Sequence, residues 1–243
     1  MNQPFGSGAP APKRPNRALW WAVGVAVVLV LAVAVAAGVV VVRSQAADGA
    51  REAPSSIAGR STTAAAGCGT PGRSSTTPVA ERVVSGPLSF PASAAPGWKQ
   101  MGYTTVAESV EAQGLYLMVP GEPWQAHVEI GMTNFDAKVP SDEAARRLIP
   151  CIAAGAAYNH GAARVEAVTA PEAVVVDGVR AHRVTARFLV DRSGLSLAGD
   201  VVTVVVIDSA PQAYFESDTP IGDTALAAVA QQVFEQLKVA RDV

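Results

Sequence analysis

Leu19 to Val42 is an unbroken apolar run. As a helix rising ~1.5 Å per residue, its 24 residues span ~36 Å, more than a ~30 Å hydrocarbon core. A helix satisfies its own backbone polar groups in lipid, so the run predicts one transmembrane helix over 19–42. Beyond it the large apolar side chains vanish. Residues 43–80 are mostly Ala, Ser, Thr, Gly and Pro, which cannot bury enough surface to offset the entropy of ordering them. They predict a flexible tether. From Gly86 onward, short β-rich runs at Leu88–Phe90, Lys99–Thr105, Leu115–Val119 and His127–Thr133 alternate with Gly and Pro turns.

The period then changes. Ala144, Leu148, Cys151, Ile152 and Ala156 mark one helical face, with Ser141 as its expected N-cap and Asp142 and Glu143 in the first turn. Pro150 is expected to kink this helix or to start a second short one. Three long strands are predicted next, over Arg164–Val176, Val179–Val190 and Asp200–Asp208. Asp177-Gly178 joins the first two as a type I′ hairpin signal. The nearly continuous β-branched run from Val201 to Ile207 suits a central strand covered on both faces. Tyr214–Ser217 adds a short strand. Leu226, Val229, Ala230, Val233, Phe234 and Leu237 then form the stripe of a closing amphipathic helix. Hairpins rather than crossovers imply an α+β fold, an antiparallel β-sheet flanked by helices.

Charge sets the topology. Lys13, Arg14 and Arg17 precede the apolar run and Arg43 alone follows it, so residues 1–18 form a basic cytoplasmic tail. Trp20 and Trp21 sit at the interface. A cleaved signal peptide is the competing reading, but its apolar core would be shorter. The domain at 81–243 is therefore extracytoplasmic, and it carries most of the acid: the chain's net −2 divides into +5 before residue 81 and −7 from residue 81 onward. That balance speaks against nucleic acid as a partner, since phosphate binding relies on basic groups.

Cys68 and Cys151 are the only cysteines. A bridge between them suits an oxidising compartment and would pin the tether to the domain. A free thiol buried on the helical stripe is the other reading of Cys151.

Several short patterns fall in a familiar order: Pro96-Gly97-Trp98, Asp177-Gly178-Val179-Arg180-Ala181, the Val201–Asp208 strand, Tyr214-Phe215 with Ser217 and Pro220, and a terminal Leu237-Lys238-Val239. Over roughly 86–240 the domain resembles the PsbP-like fold superfamily, which includes the extrinsic photosystem II protein and actinobacterial surface lipoproteins. The resemblance implies a sandwich of that fold and a non-enzymatic binding or assembly protein. The chain departs from those lipoproteins in having a membrane helix and no lipidated cysteine.

Recognisable chemistry is sparse. His127, His160 and His182 fall in no metal-ligand spacing, no catalytic or cofactor motif stands in a fitting context, and the carboxylates look scattered. No catalytic, cofactor-binding or metal residue is assigned. Arg180, Arg183 and Arg187 crowd one predicted strand, with Arg183 and Arg187 on one face and Arg180 on the other. They are the candidate patch for a ligand or a partner's carboxylates. The expected function is a non-catalytic, membrane-anchored binding or interaction module of the cell envelope, acting on an envelope protein or on a lipid or glycan. An envelope hydrolase or transferase whose site assembles only in the fold is the alternative. A cavity lined by a close Ser/His/Asp or Asp/Glu group would favour the enzyme. An apolar groove beside Arg183 and Arg187 would favour the binding module.

Overall fold

The computed structural model describes residues 68–135, 138–158 and 162–241. The predicted basic tail, the transmembrane helix over 19–42 and the tether up to residue 67 lie outside the described residues, as does His160. Among the described residues no helix is long and apolar enough to cross a membrane.

Two sheets form. The smaller joins β1 (Arg82–Ser85), β2 (Leu88–Pro91) and the C-terminal β11 (Lys238–Val239). The larger runs in the order β3 (Lys99–Gln100), β4 (Ser109–Met118), β5 (Gln125–Thr133), β10 (Ala213–Pro220), β9 (Gly199–Ile207), β8 (Val179–Leu189) and β6 (Arg164–Glu166), with β7 (Glu172–Val176) also paired to β8. Every pairing of these strands is antiparallel. Helix α1 (Ser141–Ala153) packs on β8 and β9, and α2 (Thr224–Glu235) on β10 and β5. The α+β class and the flanked antiparallel sheet expected from the sequence are the observed architecture.

The strand code explains the layering. Successive side chains of a strand point to opposite faces. In β9, Val202, Val204 and Val206 enter a core with Leu148 and Ile152 of α1, while Val205 and Ile207 enter a second core with Ala230 and Val233 of α2. Both faces are thus covered, as the β-branched run predicts. The Asp177-Gly178 turn joins β7 to β8 with φ of 46° and 82°, the two positive values that a type I′ hairpin requires. At the start of α2, the Asp223 carboxylate accepts hydrogen bonds from the N–H groups of Ala225 and Leu226 at 3.1 and 3.0 Å, satisfying two of the orphan donors of the first turn.

Five local expectations change. Ser141 is the first residue of α1 rather than its cap, and its hydroxyl pairs instead with His182 Nδ1 at 2.8 Å. Pro150 costs α1 one backbone donor but does not end it, because Ile149, Cys151 and Ile152 around it are buried against the sheet. The predicted Arg164–Val176 strand divides into β6 and β7, because Ala167 takes a positive φ of 48° and Pro171 brings no N–H to the ladder. Of the predicted Lys99–Thr105 strand, only two residues pair as β3. The last part of the predicted tether belongs to the domain: the N–H groups of Arg73 and Ser75 donate to the carbonyls of Ser109 and Ala112 at 3.1 and 2.7 Å, and the Ala112 N–H donates to the Arg73 carbonyl at 3.0 Å. Composition counts side chains, so it misses a segment held by its main chain.

Candidate functional site

The β5–β10 pairing assembles the chemistry. Across this ladder His127 stands opposite Asp218, and Glu129 opposite Glu216. Because the two residues of each strand are two apart, all four project from one face, toward α1. Asp200 joins them from β9, two residues before Val202, the partner of Asp218. The cluster is deeply buried: Glu129, Asp200 and Glu216 are 0% exposed, His127 1% and Asp218 3%.

A buried carboxylate is costly unless it is paired or hydrogen-bonded, and this cluster is only partly satisfied. His127 Nε2 lies 2.9 Å from a Glu216 oxygen and 3.2 Å from the Thr105 hydroxyl. Glu129 accepts from Thr104 at 2.6 Å and from the Tyr214 hydroxyl. Gly131 makes the latter contact feasible, because a Cβ there would lie 2.5 Å from the Tyr214 ring. The Trp124 indole N–H is shared between both Asp200 oxygens at 2.9 and 3.0 Å. The Tyr158 hydroxyl lies between Asp200, at 2.9 Å, and Asp218. A phenol has a single proton to donate, so two full hydrogen bonds here require one of the carboxyl groups to carry a proton and donate it.

The pKa directions agree. Burial alone would lower that of His127, but the negative charges of Glu216, Asp218 and Glu129 outweigh it and raise the imidazole to about 10. Burial and the neighbouring Glu216 push Glu129 up to about 7, against the pull of its hydrogen bonds. Asp218 is raised well above the ordinary carboxylate range by burial and by the charges of Asp200 and Glu216. Burial raises Asp200 as well.

His127 and Asp218 also form the floor of a cavity of about 300 Å³, walled by Trp124, Tyr158, Met118 and Tyr103. Arg192 and Gln125 line it too. Among the described residues His127 Nδ1, Asp218 Oδ1 and Glu129 Oε2 are buried without a hydrogen-bond partner, and Glu216 has only the ion-pair contact of one oxygen with His127 Nε2. Such orphaned atoms in a native fold mark a place where something polar belongs. His127, Glu216 and Asp218 offer donor atoms within 4.8 Å of one another, so they are the residues that could hold a metal ion, which would have to displace the imidazole proton.

Catalysis fares less well. Thr105, His127 and Asp218 stand in the order of a nucleophile, base and orienting acid. Yet a base must be free to take the hydroxyl proton, and an imidazole held protonated to about pH 10 is not free. The nearest approach of His127 Nδ1 to Asp218 is 3.9 Å, beyond hydrogen-bond reach.

The residues singled out from the sequence fall elsewhere. Cys68 and Cys151 form a disulfide, with Cα atoms 5.4 Å apart, at the last turn of α1. Arg183 and Arg187 do share one face of β8. Arg183 pairs with Glu172 of β7 at 2.7 Å and borders a groove of about 200 Å³ between the sheet and α2, lined by Val201, Val205, Phe215 and Phe234. Arg180, on the other face, is largely exposed and stands 3.9 Å from Asp208. Trp124 lines the cavity, whereas Trp98 packs half-buried against the two cores. The carboxylates that look scattered in sequence are the ones the fold unites. Their only linear trace is alternation: His127-x-Glu129 and Glu216-x-Asp218 each put two charges on one face of a predicted strand.

No protein-family model matches the chain, and no curated protein sequence matches it. Solved structures do resemble it, among them the following two. LpqN, a protein involved in cell envelope biogenesis of Mycobacterium tuberculosis, is 13% identical with a TM-score of 0.40, covering 65% of this chain and 89% of its own. PsbP from the cyanobacterium Synechocystis sp. PCC 6803 is 14% identical with a TM-score of 0.42, covering 68% and 96%. Both have the PsbP-like fold to which the sequence patterns point. At these values the likeness carries no argument about activity.

Proposed function

We propose that the chain is a non-catalytic, membrane-anchored binding module of the cell envelope, and that its domain takes a small polar ligand into the cavity above His127 and Asp218. The observation that carries this reading is an aromatic-walled cavity lined by His127 and Asp218, two buried side chains that each keep one unpartnered polar atom. Ligand sites combine mostly apolar walls with a few convergent polar groups, and about 300 Å³ is the size of a small one. The Cys68–Cys151 bridge suits an extracytoplasmic compartment, and the apolar run over 19–42 suits an anchor.

The test is native mass spectrometry of the full-length protein, released from gently solubilised membranes, beside an Ala157→Arg variant. Ala157 is exposed and lines the cavity, so an arginine there obstructs the entrance without being forced into the core. A small molecule retained by the parent and lost from the variant supports the reading. The same molecule on both proteins places binding elsewhere.

A second reading rests on the Arg183 groove. Arg187 has no ion-pair partner among the described residues, and this face would offer a protein partner's carboxylates one free guanidinium and one held by Glu172. Partner capture that is abolished by Arg183→Ala with Arg187→Ala, and untouched by Ala157→Arg, selects this reading.

A further inference from the structure

The segment from Cys68 to Val79 is fastened to the domain in a way that does not depend on which chain supplies it. We infer that this strap is exchangeable between two copies of the protein: each copy's strap lies on the other's β4, and its Cys68 bonds to the other's Cys151. The exchange stands apart from the cavity and its ligand. Three observations lead to it.

The first is how the strap is held. The Thr70 N–H donates to the Glu108 carboxylate at 2.8 Å, and the Thr70 carbonyl accepts from the Glu108 N–H at 2.9 Å. Arg73 and Ser75 pair with the main chain of β4 at Ser109 and Ala112. The side-chain amides of Gln100 and Gln113 both donate to the Thr77 carbonyl at 2.8 Å, and Gln100 Oε1 accepts from the Val79 N–H at 2.9 Å. All of these bonds fall on the strap's main chain, while the side chains of Arg73, Thr76, Thr77 and Pro78 are exposed. A site that reads main chain cannot tell its own strap from an identical one.

The second is what the strap covers. One side of β4 pairs with β5; the other is covered by β3 at Leu115 and Tyr116 and by the strap from Ser109 to Ala112. Beneath the strap Ser109 is 0% exposed and Ala112 1%. Lifting it bares a strand edge, which is a template for another strand. The same segment of a second copy is the strand that fits. Gly72 sets the fit, because a Cβ there would lie 2.0 Å from the Val106 carbonyl oxygen.

The third is the two ends. Between the strap and β1 stand Ala80 and Glu81, both exposed, a short hinge of the kind through which identical elements are swapped. At the other end the Cys68–Cys151 bridge fastens the strap to one domain. Exchange therefore belongs to the dithiol state, and oxidation then locks the strap wherever it lies. In that step the two thiols give up two protons and two electrons to an external disulfide, which leaves as two thiols. Two copies standing on one membrane meet at a raised local concentration.

The experiment uses the full-length protein in detergent, prepared in isotopically light and heavy forms. Equal amounts are mixed, reduced with dithiothreitol without denaturant, and reoxidised with oxidised glutathione. Mass spectrometry of the digest then reads the peptide pair joined through Cys68 and Cys151. The expected result is bridged pairs with one light and one heavy half, from a species that sediments as a dimer, and none when the two forms are oxidised before mixing. In that dimer the Ser75 and Ala112 amides should be as protected from hydrogen exchange as in the monomer, since the strap is seated. Gly72→Ala, which obstructs the seat, should remove the mixed pairs. Uniform pairs alone after joint reoxidation overturn the exchange. So do mixed pairs that persist in Gly72→Ala, or a dimer whose Ser75 and Ala112 amides have lost their protection, because both report collision of loose chains.

Discussion

Replacing His127 by glutamine tests whether the buried cluster is held together by one imidazolium. The side chain is 1% exposed and its Nε2 lies 2.9 Å from Glu216, which is 0% exposed. Removing one partner of a buried pair leaves the other charge uncompensated and costs about 3–5 kcal/mol. The pH dependence is more diagnostic. The imidazole is raised from 6.5 to about 10 in the folded protein. A raised pKa means that the folded state holds the proton more tightly than the unfolded state, so the stabilisation is complete below pH 6.5 and is lost as pH rises through 10. Each unit within that window corresponds to about 1.4 kcal/mol, and the whole window to about 5 kcal/mol. Coupling to Glu129 and Glu216 shares part of this, so the total is an upper bound. Urea unfolding of the parent and of His127→Gln at pH 6, 7, 8, 9 and 10 gives the difference directly, because the other titrating groups largely cancel. The gap should be widest at pH 6 and narrow steadily toward pH 10. A gap of constant size across that range would refute the charged assignment, as would an imidazole titrating near 6.5 by NMR.

Three further outcomes follow from individual contacts. Glu129 is raised to about 7 mainly by burial, so the parent should lose about 3 kcal/mol relative to Glu129→Gln as pH rises from 4.5 to 8; unfolding free energies of the pair check this. Cys68→Ser opens a covalent loop closed over a sequence separation of 83, worth about 4–5 kcal/mol in the chain-entropy model, and should lower the thermal midpoint by about 10–15 °C in calorimetry. Asp223→Ala removes the acceptor of two N–H groups at the start of α2 and should cost about 1 kcal/mol in urea unfolding, while Asp223→Asn costs less.

The architecture was legible where a single physical rule decides it. Alternation, turn chemistry and helical period place β5, β8, β9 and α2 because each buries a continuous stripe or carries an unmistakable turn. The small sheet was not, since β1 and β11 are four and two residues long and gain their order only by meeting at β2. The candidate site was legible in pieces. His127 and Trp124 draw notice as residue types, and Cys68 and Cys151 as the only pair of their kind. The joining of His127 with Asp218 spans 91 positions and depends on which strand neighbours which, a fact about registry that no local window contains. The acidic row is also camouflaged: charged residues at the centre of a sheet contradict the very pattern by which strands are recognised.

The disulfide has a mechanical meaning as well. Any load reaching the domain through the chain before Cys68 crosses the sulfur bridge to Cys151, at the last turn of α1. Strands β1 to β5 hang in the covalent loop between these two residues and lie outside the direct line of force. The two carboxylates of β10, by contrast, lie on the far side of the bridge from His127. A pull would therefore be borne by the end of α1 from Cys151 onward and the segment leading into the Tyr158 wall of the cavity, before it could peel any strand from the sheet's first half.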